Sequence, residues 1–337
     1  MSILYNGVNV KKIIYGGKEV KTAYYDNKKI FSEFSLPPKG KTLNNYTWAE
    51  ISQIAKAGVG EDYFDIGDCK EITLNGKIGN YLTLSNQKLC VFILDFNHPE
   101  NGVAENNIIF GGFKTALSGG KDVALCDSKY DTSSTDGSIC FNMSHKTTAT
   151  SGFDQKGYNY GGWKGSDLRY DILGATSTAP SQYKVDKNTS NVGYDATAAT
   201  LTSPKANTFL AALPSDLRSV LRLRTHYVDN KGNTSNVDAN VTAVTDAVSL
   251  LAEREIFRSR KYANQYEQLH QQRMKYYTNG NSTKKYKHSG TTTDAVYWWE
   301  CSPNYNYPGD FCIVYDDGSA TGCDACYSCA LAPVLKI

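Results

Sequence analysis

Short β-prone runs broken by turn residues fill the first 32 positions. Tyr5-Asn6-Gly7, Tyr15-Gly16-Gly17 and Tyr25-Asp26-Asn27 recur with a period of ten, each ahead of a lysine-containing stretch. Turn residues at that spacing predict a small all-β repeat module over residues 1–34, of meander or β-prism type. Hairpins this short bury little alone, so oligomerisation or docking is expected to stabilise them. The adjacent prolines of Ser-Leu-Pro-Pro-Lys-Gly-Lys mark residues 35–43 as a linker.

From residue 44 the pattern changes, and residues 44–337 read as one larger domain. Thr47-Trp48-Ala49-Glu50 is a capping box, followed by Ile51, Ile54 and Ala55 at helical spacing. Residues 89–96 predict a strand. Residues 114–160, rich in Gly, Ser, Asp and Thr, read as long surface loops. Helices are expected over 166–173, 208–213 and 215 to about 222. Residues 246–257 read as mixed and partly buried, 261–277 as an exposed polar helix, and 279–294 as a loop. Alternation at 311–314 and the apolar run 334–337 predict closing strands. Helices and strands mixed in this way make the domain α+β.

Composition narrows the function. With 40% hydrophobic and 21% charged residues the chain is globular. A net charge of +2 without a basic stripe gives no case for nucleic acid. No apolar run approaches a membrane span, and the first twenty residues lack the apolar core of a signal peptide. The expectation is synthesis in a bacterial cytoplasm without signal-peptide secretion or membrane insertion. The 24 tyrosines and 28 glycines suit adaptable binding surfaces as well as β-rich cores.

Candidate chemistry is sparse. Cys323, Cys326 and Cys329 form C-x2-C-x2-C, three quarters of an iron–sulfur motif, but Pro333 stands where the fourth cysteine would be. A zinc site also needs a fourth ligand. In an extended segment, residues 323 and 329 face one way and 326 the other, which scatters the thiolates. Nine cysteines in a reducing compartment argue for thiols rather than a disulfide framework. His98, His145, His226, His270 and His288 lack ligand spacing and read as surface or hydrogen-bonded residues. Asp65, Asp68, Asp95, Glu253 and Glu255 read as solvated or capping acids, and Trp298-Trp299 as core. No nucleophile elbow, phosphate loop or dinucleotide fingerprint is present.

The tail carries a different signal. Residues 301–335 contain no Lys, Glu, Gln, Met or Trp, types that make up 54 of the 337 residues. Randomising the adenines of AAC or AAT codons yields fifteen amino acids and never those five. Phe311, Ile313, Val314, Gly318, Ala320, Ala325 and Pro333 then read as a fixed scaffold threaded between varied positions.

With this tail, five stretches carry a resemblance. They are Thr47-Trp48-Ala49-Glu50-Ile51, Tyr63-Phe64-Asp65-Ile66-Gly67-Asp68, Gly162-Trp163-Lys164-Gly165-Ser166-Asp167-Leu168-Arg169, Leu213-Pro214-Ser215-Asp216-Leu217 and Tyr297-Trp298-Trp299-Glu300-Cys301-Ser302-Pro303. Phe311–Val314 and Asp317-Gly318-Ser319-Ala320 complete it. The chain resembles the variable proteins of diversity-generating retroelements, a C-type-lectin-fold family of gut phages and bacteria, similar in plan to the phage major tropism determinant. Cys301 departs from the pattern, standing where the family usually carries a basic residue. Whether Cys301, Asn304 and Asn306 are varied stays open.

The resemblance implies a C-type-lectin fold with a variable region over about 301–331. It implies a receptor-binding, tropism-determining protein of the phage tail tip, carried in the virion, non-enzymatic and without cofactor or metal. The implied contact residues are Tyr305, Tyr307, Asp310, Tyr315, Asp316, Asp317, Thr321, Gly322, Cys323, Asp324, Cys326, Tyr327 and Cys329. Implied partners are a host cell-surface protein or glycan, phage tail and baseplate proteins, and two further copies in a homotrimer. The cysteine triplet then reads as three chance products of varied codons. Two alternatives remain, a formylglycine-generating-type oxidase on the same fold and a bacterial interaction module stabilised by metal at the triplet.

Overall fold

The computed structural model describes residues 36–133, 137–142, 158–179, 193–289 and 294–337, and within residues 1–35 the backbone of six short strands. The chain divides into two compact units, residues 1–39 and 40–337. In the first, β1 (Leu4–Tyr5) pairs with β2 (Val8–Asn9), β3 (Ile13–Tyr15) with β4 (Lys18–Val20), and β5 (Thr22–Tyr25) with β6 (Lys28–Ser32), all antiparallel. The expected turn residues Asn6-Gly7, Gly16-Gly17 and Asp26-Asn27 lie outside the described residues.

The second unit opens with α1 (Trp48–Ala57). Thr47 Oγ1 accepts from the Glu50 amide, and Glu50 Oε2 accepts from the Thr47 amide at 2.7 Å, so both halves of the capping box form. The helix stops at Gly58, whose φ of 72° is left-handed. Its apolar face buries Trp48, Ile51, Ile54 and Ala55, and Trp48 meets Phe110 edge-to-face at 5.5 Å.

A seven-stranded sheet follows. Its first members are β7 (Cys69–Ile78), β8 (Leu82–Phe96), β9 (Ile108–Lys114) and β10 (Asp122–Ala124). The second half of β8 is buried on both faces. Leu89, Val91 and Ile93 join the cluster containing α1, while Cys90, Phe92 and Leu94 join a second cluster with Tyr276, Trp298 and Val334. Two-sided covering accounts for the unbroken apolar run there.

Four short helices come next or near: α2 (Ala198–Thr202), α3 (Phe209–Ala212), α4 (Ser215–Arg218) and, after a hairpin, α5 (Glu253–Ile256). The hairpin is β11 (Arg224–Asp229) with β12 (Val241–Asp246). After α6 (Lys275–Thr278), β13 (Lys285–Lys287) joins β10 in parallel and carries β14 (Ala295–Val296) on its outer edge. A separate antiparallel sheet holds β15 (Trp298–Pro303), β16 (Asp310–Val314) and β17 (Ala320–Asp324). Finally β18 (Val334–Lys336) returns to β9 opposite Ile109–Gly111, and Ile337 exchanges two amide bonds of 3.0 Å with Ile108. Both ends of the three-stranded region are thus tied to the seven-stranded sheet. The unit is α+β.

Several expected elements differ. The helix over 166–173 is one π-helical turn, Leu168–Ile172, and the helix from 215 ends at Arg218. Residues 261–277 form no exposed helix. They make a 3-10 turn (Gln265–Leu269) and α6, with Asn264, Glu267, Met274 and Tyr277 buried, because their polar groups bond the protein's own backbone rather than water. The expected loop 279–294 contributes β13. Within 114–160, β10 and the buried Ile139, Cys140 and Phe141 are structural rather than superficial. Residues 134–136 and 143–157 of that stretch lie outside the described residues.

Candidate functional site: a tyrosine and aspartate cleft

The three-stranded sheet rests on aromatic packing. Phe311 stacks on Phe141 with centroids 3.6 Å apart and planes 6° off parallel, and Trp299 meets Phe141 at 90°. Trp299 Nε1 donates to the Ile139 carbonyl at 3.0 Å and Trp298 Nε1 to the Thr283 carbonyl. Trp298, Phe311, Ile313 and Val314 are buried, as a fixed scaffold requires. Cys301 is also fully buried, so packing rather than contact accounts for it.

Two side chains that sequence reasoning missed hold the connections. Asn159, fully buried, donates through Nδ2 to the carbonyls of Asn304 and Asp310, and its amide donates to the Pro308 carbonyl at 2.7 Å. Asp127 accepts from the amides of Lys129 and Ile139 and from Ser328 Oγ, pinning the loop before Asp131 to the turn after β17. Asn and Asp are common loop residues, so nothing local distinguishes these two.

Above this frame lies an open cleft of about 380 Å³. Seven of the thirteen expected contact positions line it: Tyr307, Asp310, Tyr315, Gly322, Cys323, Asp324 and Tyr327, joined by Asp131, Tyr297 and Ile313. Tyr315 stacks on Tyr297 at 5.8 Å and 8°, and Tyr297 in turn packs on Tyr130. Asp310 and Asp324 stand directly opposite on β16 and β17. Burial, then the neighbouring Asp324 carboxylate, pushes Asp310 up to about 7. At Gly322 a Cβ would come within 2.6 Å of Asp310 Oδ2, so any side chain there displaces that carboxylate.

The other candidate positions are elsewhere. Tyr305 lies under Arg260 at 4.6 Å. Asp317 caps the β16–β17 turn by accepting from the Ser319 amide, and Asp316 sits beside it. Thr321 is half-buried opposite Ile313 and Cys326 is half-buried in the turn after β17. Cys329 is a correction. It is fully buried, because the turn at 324–327 carries the chain back beneath the sheet, where the Cys329 amide donates to Ile139. The same turn places its thiol 3.6 Å from Cys323, where an extended strand would separate them further. Burial, then Cys323, raises the Cys329 thiol well above its ordinary range. The nine cysteines are unbridged.

Away from the cleft, Asp65 is exposed and Asp68 accepts from the Asp65 amide, as solvated or capping acids do, whereas Asp95, Glu253 and Glu255 are buried. Glu253 accepts from the amides of Lys261, Tyr262 and Ala263. Although burial opposes it, the Arg224 guanidinium holds Glu255 down at about 2. Asp95 bonds His98 at 2.8 Å, and Asp246 receives Arg169, His226 and Trp163. His270 bonds Asn101 and His288 accepts from the Cys126 amide, while His145 lies outside the described residues. Among the described residues no group of three or more His, Cys, Asp or Glu side chains is placed to hold a metal ion, and no helix is long and apolar enough to cross a membrane.

The fold and cleft define an α+β domain with a side-chain-lined depression on a short sheet. Residues 143–337 match a family described as a domain of unknown function (DUF6273), and the chain belongs to that family. The match covers Asn159, the whole three-stranded sheet and all but one of the residues that line the cleft, Asp131 being outside it. Comparison with curated proteins and with solved structures finds no match.

Proposed function

We propose that this protein is a phage tail-tip receptor-binding protein, a retroelement-diversified variable protein on a C-type-lectin fold. The observation that carries the reading is the sorting of one short stretch. Tyr307, Asp310, Tyr315, Cys323, Asp324 and Tyr327 converge on a single cleft, while Trp298, Phe311 and Val314 between and beside them are buried. Residues free to vary codon by codon must avoid the core, and a binding surface must gather them. In this reading residues 1–34 attach the protein to the tail and support a homotrimer, and the chain acts by contact rather than catalysis. The oxidase alternative calls for a reactive thiolate, and the buried, upward-shifted Cys329 does not favour one.

Two measurements test the proposal. The neighbouring DNA should hold a near-copy of the 3′ end with adenines at the varied positions, beside a reverse transcriptase gene. Purified protein should adsorb to a permissive host, and Tyr307→Asn or Tyr327→Asn should change that adsorption without unfolding the chain. Unchanged adsorption across all such variants would refute it.

A further inference from the structure

The chemistry of the cleft narrows what it holds, on the premise that the cleft is the receptor site. Among the described residues, its walls carry three carboxylates, Asp131, Asp310 and Asp324, and no basic side chain. Four tyrosines surround the same space, with Tyr307 and Tyr315 57% and 43% exposed. Elsewhere this chain fills comparable settings with its own cations. Lys205 stands 4.2 Å over the Tyr170 ring while bonding Asp171 at 2.5 Å, and Arg260 stands over Tyr305. Among the described residues, no Lys or Arg is so placed over the cleft tyrosines or paired with its three aspartates.

We infer that the cleft takes an arginine side chain presented by a protein receptor. A planar guanidinium stacks on tyrosine faces and accepts two carboxylate partners at once, which an ammonium does less well. The parallel rings of Tyr297 and Tyr315 supply the face, and the cross-strand pair Asp310 and Asp324 supplies the carboxylates. The volume of about 380 Å³ admits such a side chain with its flanking backbone. Facing Asp310 are Asp324 from β17, Asn304 from the preceding loop and the Gly322 backbone. A bound cation favours the ionised form of Asp310, so affinity rises with pH.

The test titrates full-length protein with N-acetylarginine methylamide, followed by NMR shifts of tyrosine resonances. Tetramethylammonium and N-acetylglutamate methylamide serve as comparison probes. Saturable binding of the arginine probe in the millimolar range is expected. Asp324→Asn should weaken it at least about tenfold and Asp65→Asn, an equal change in charge at an exposed position outside the cleft, less than about twofold. Tyr315→Asn should weaken it as well, which covers a misfolded Asp324 variant. Affinity should rise up to roughly tenfold from one pH unit below the Asp310 value of about 7 to one above. Equal binding of the acidic probe, equal losses from Asp65→Asn, or no saturation by about 50 mM overturns the inference. Tighter binding of tetramethylammonium also overturns it, in favour of a quaternary ammonium group. If the arginine probe fails while cleft variants still change adsorption, only the arginine assignment falls. If it binds while adsorption ignores those variants, the receptor reading falls.

Discussion

Two groups of carboxylates occupy this domain under opposite conditions. Glu253, Glu255 and Asp246 are fully or almost fully buried, each held by backbone amides, an arginine or a histidine. Asp310 and Asp324 sit at an open cleft, face each other and, among the described residues, have no cation beside them. A buried acid with every oxygen engaged is structural, since removing a partner strands a charge. An acid pair left at an open aromatic cleft has little structural reason to be there and leaves room for an outside partner. The contrast assigns the acids of one domain to two tasks.

The sharpest way to break the contrast is to strand a buried charge. Arg169→Met leaves Asp246 without its guanidinium, whose Nε lies 2.6 Å away, and should cost about 3–5 kcal/mol in denaturant unfolding. Next in size, Asn159→Ala should cost about 1–3 kcal/mol, the usual range for stranding buried partners. Its mark is local: amide exchange should accelerate across residues 304–310, which Asn159 holds.

A pH profile compares the two groups in a single experiment. Burial pushes Glu267 up to about 8, against the donors Ser302 and the Asp229 amide. A carboxyl raised on folding keeps its proton when the unfolded chain has lost it. Its stabilisation is therefore complete below the unfolded pKa of about 4.3 and is lost as pH rises through about 8. Thermal melts should fall across that window, and Glu267→Gln should flatten the fall. Asp310 adds a smaller decline of the same sign through about 7, which Asp324→Asn should reduce.

The smallest stability effects belong to the cleft. Tyr315→Asn or Tyr327→Asn should shift stability by under about 0.5 kcal/mol. The same changes should cost about 2 kcal/mol of receptor binding, roughly thirtyfold. Large stability losses there would make the cleft part of the frame.

Local signals carried the elements that depend on neighbours in sequence. The capping box of α1, the apolar run in β8, the closing strands and the ten-residue period of β1–β6 could all be read from spacing, because caps, turns and periodicity act within a few residues. The buried positions Trp298, Phe311, Ile313 and Val314 of the tail were likewise legible, whereas the burial of Cys329 was not. What depends on partners far along the chain was not. The polar stretch 261–277 looks solvated until Asn264 and Glu267 find partners some 30 residues away or more. Phe141 lies in a sequence that resembles a loop, and only its contacts with Phe311, Trp299 and Trp163 give it a role. Asn159 clamps residues 145 and 151 positions distant. The sequence by itself determined which local elements could form. Only the tertiary structure decided that Asp310 and Asp324 would meet across strands beside four tyrosines, since burial and electrostatic coupling arise from proximity in space, not spacing along the chain.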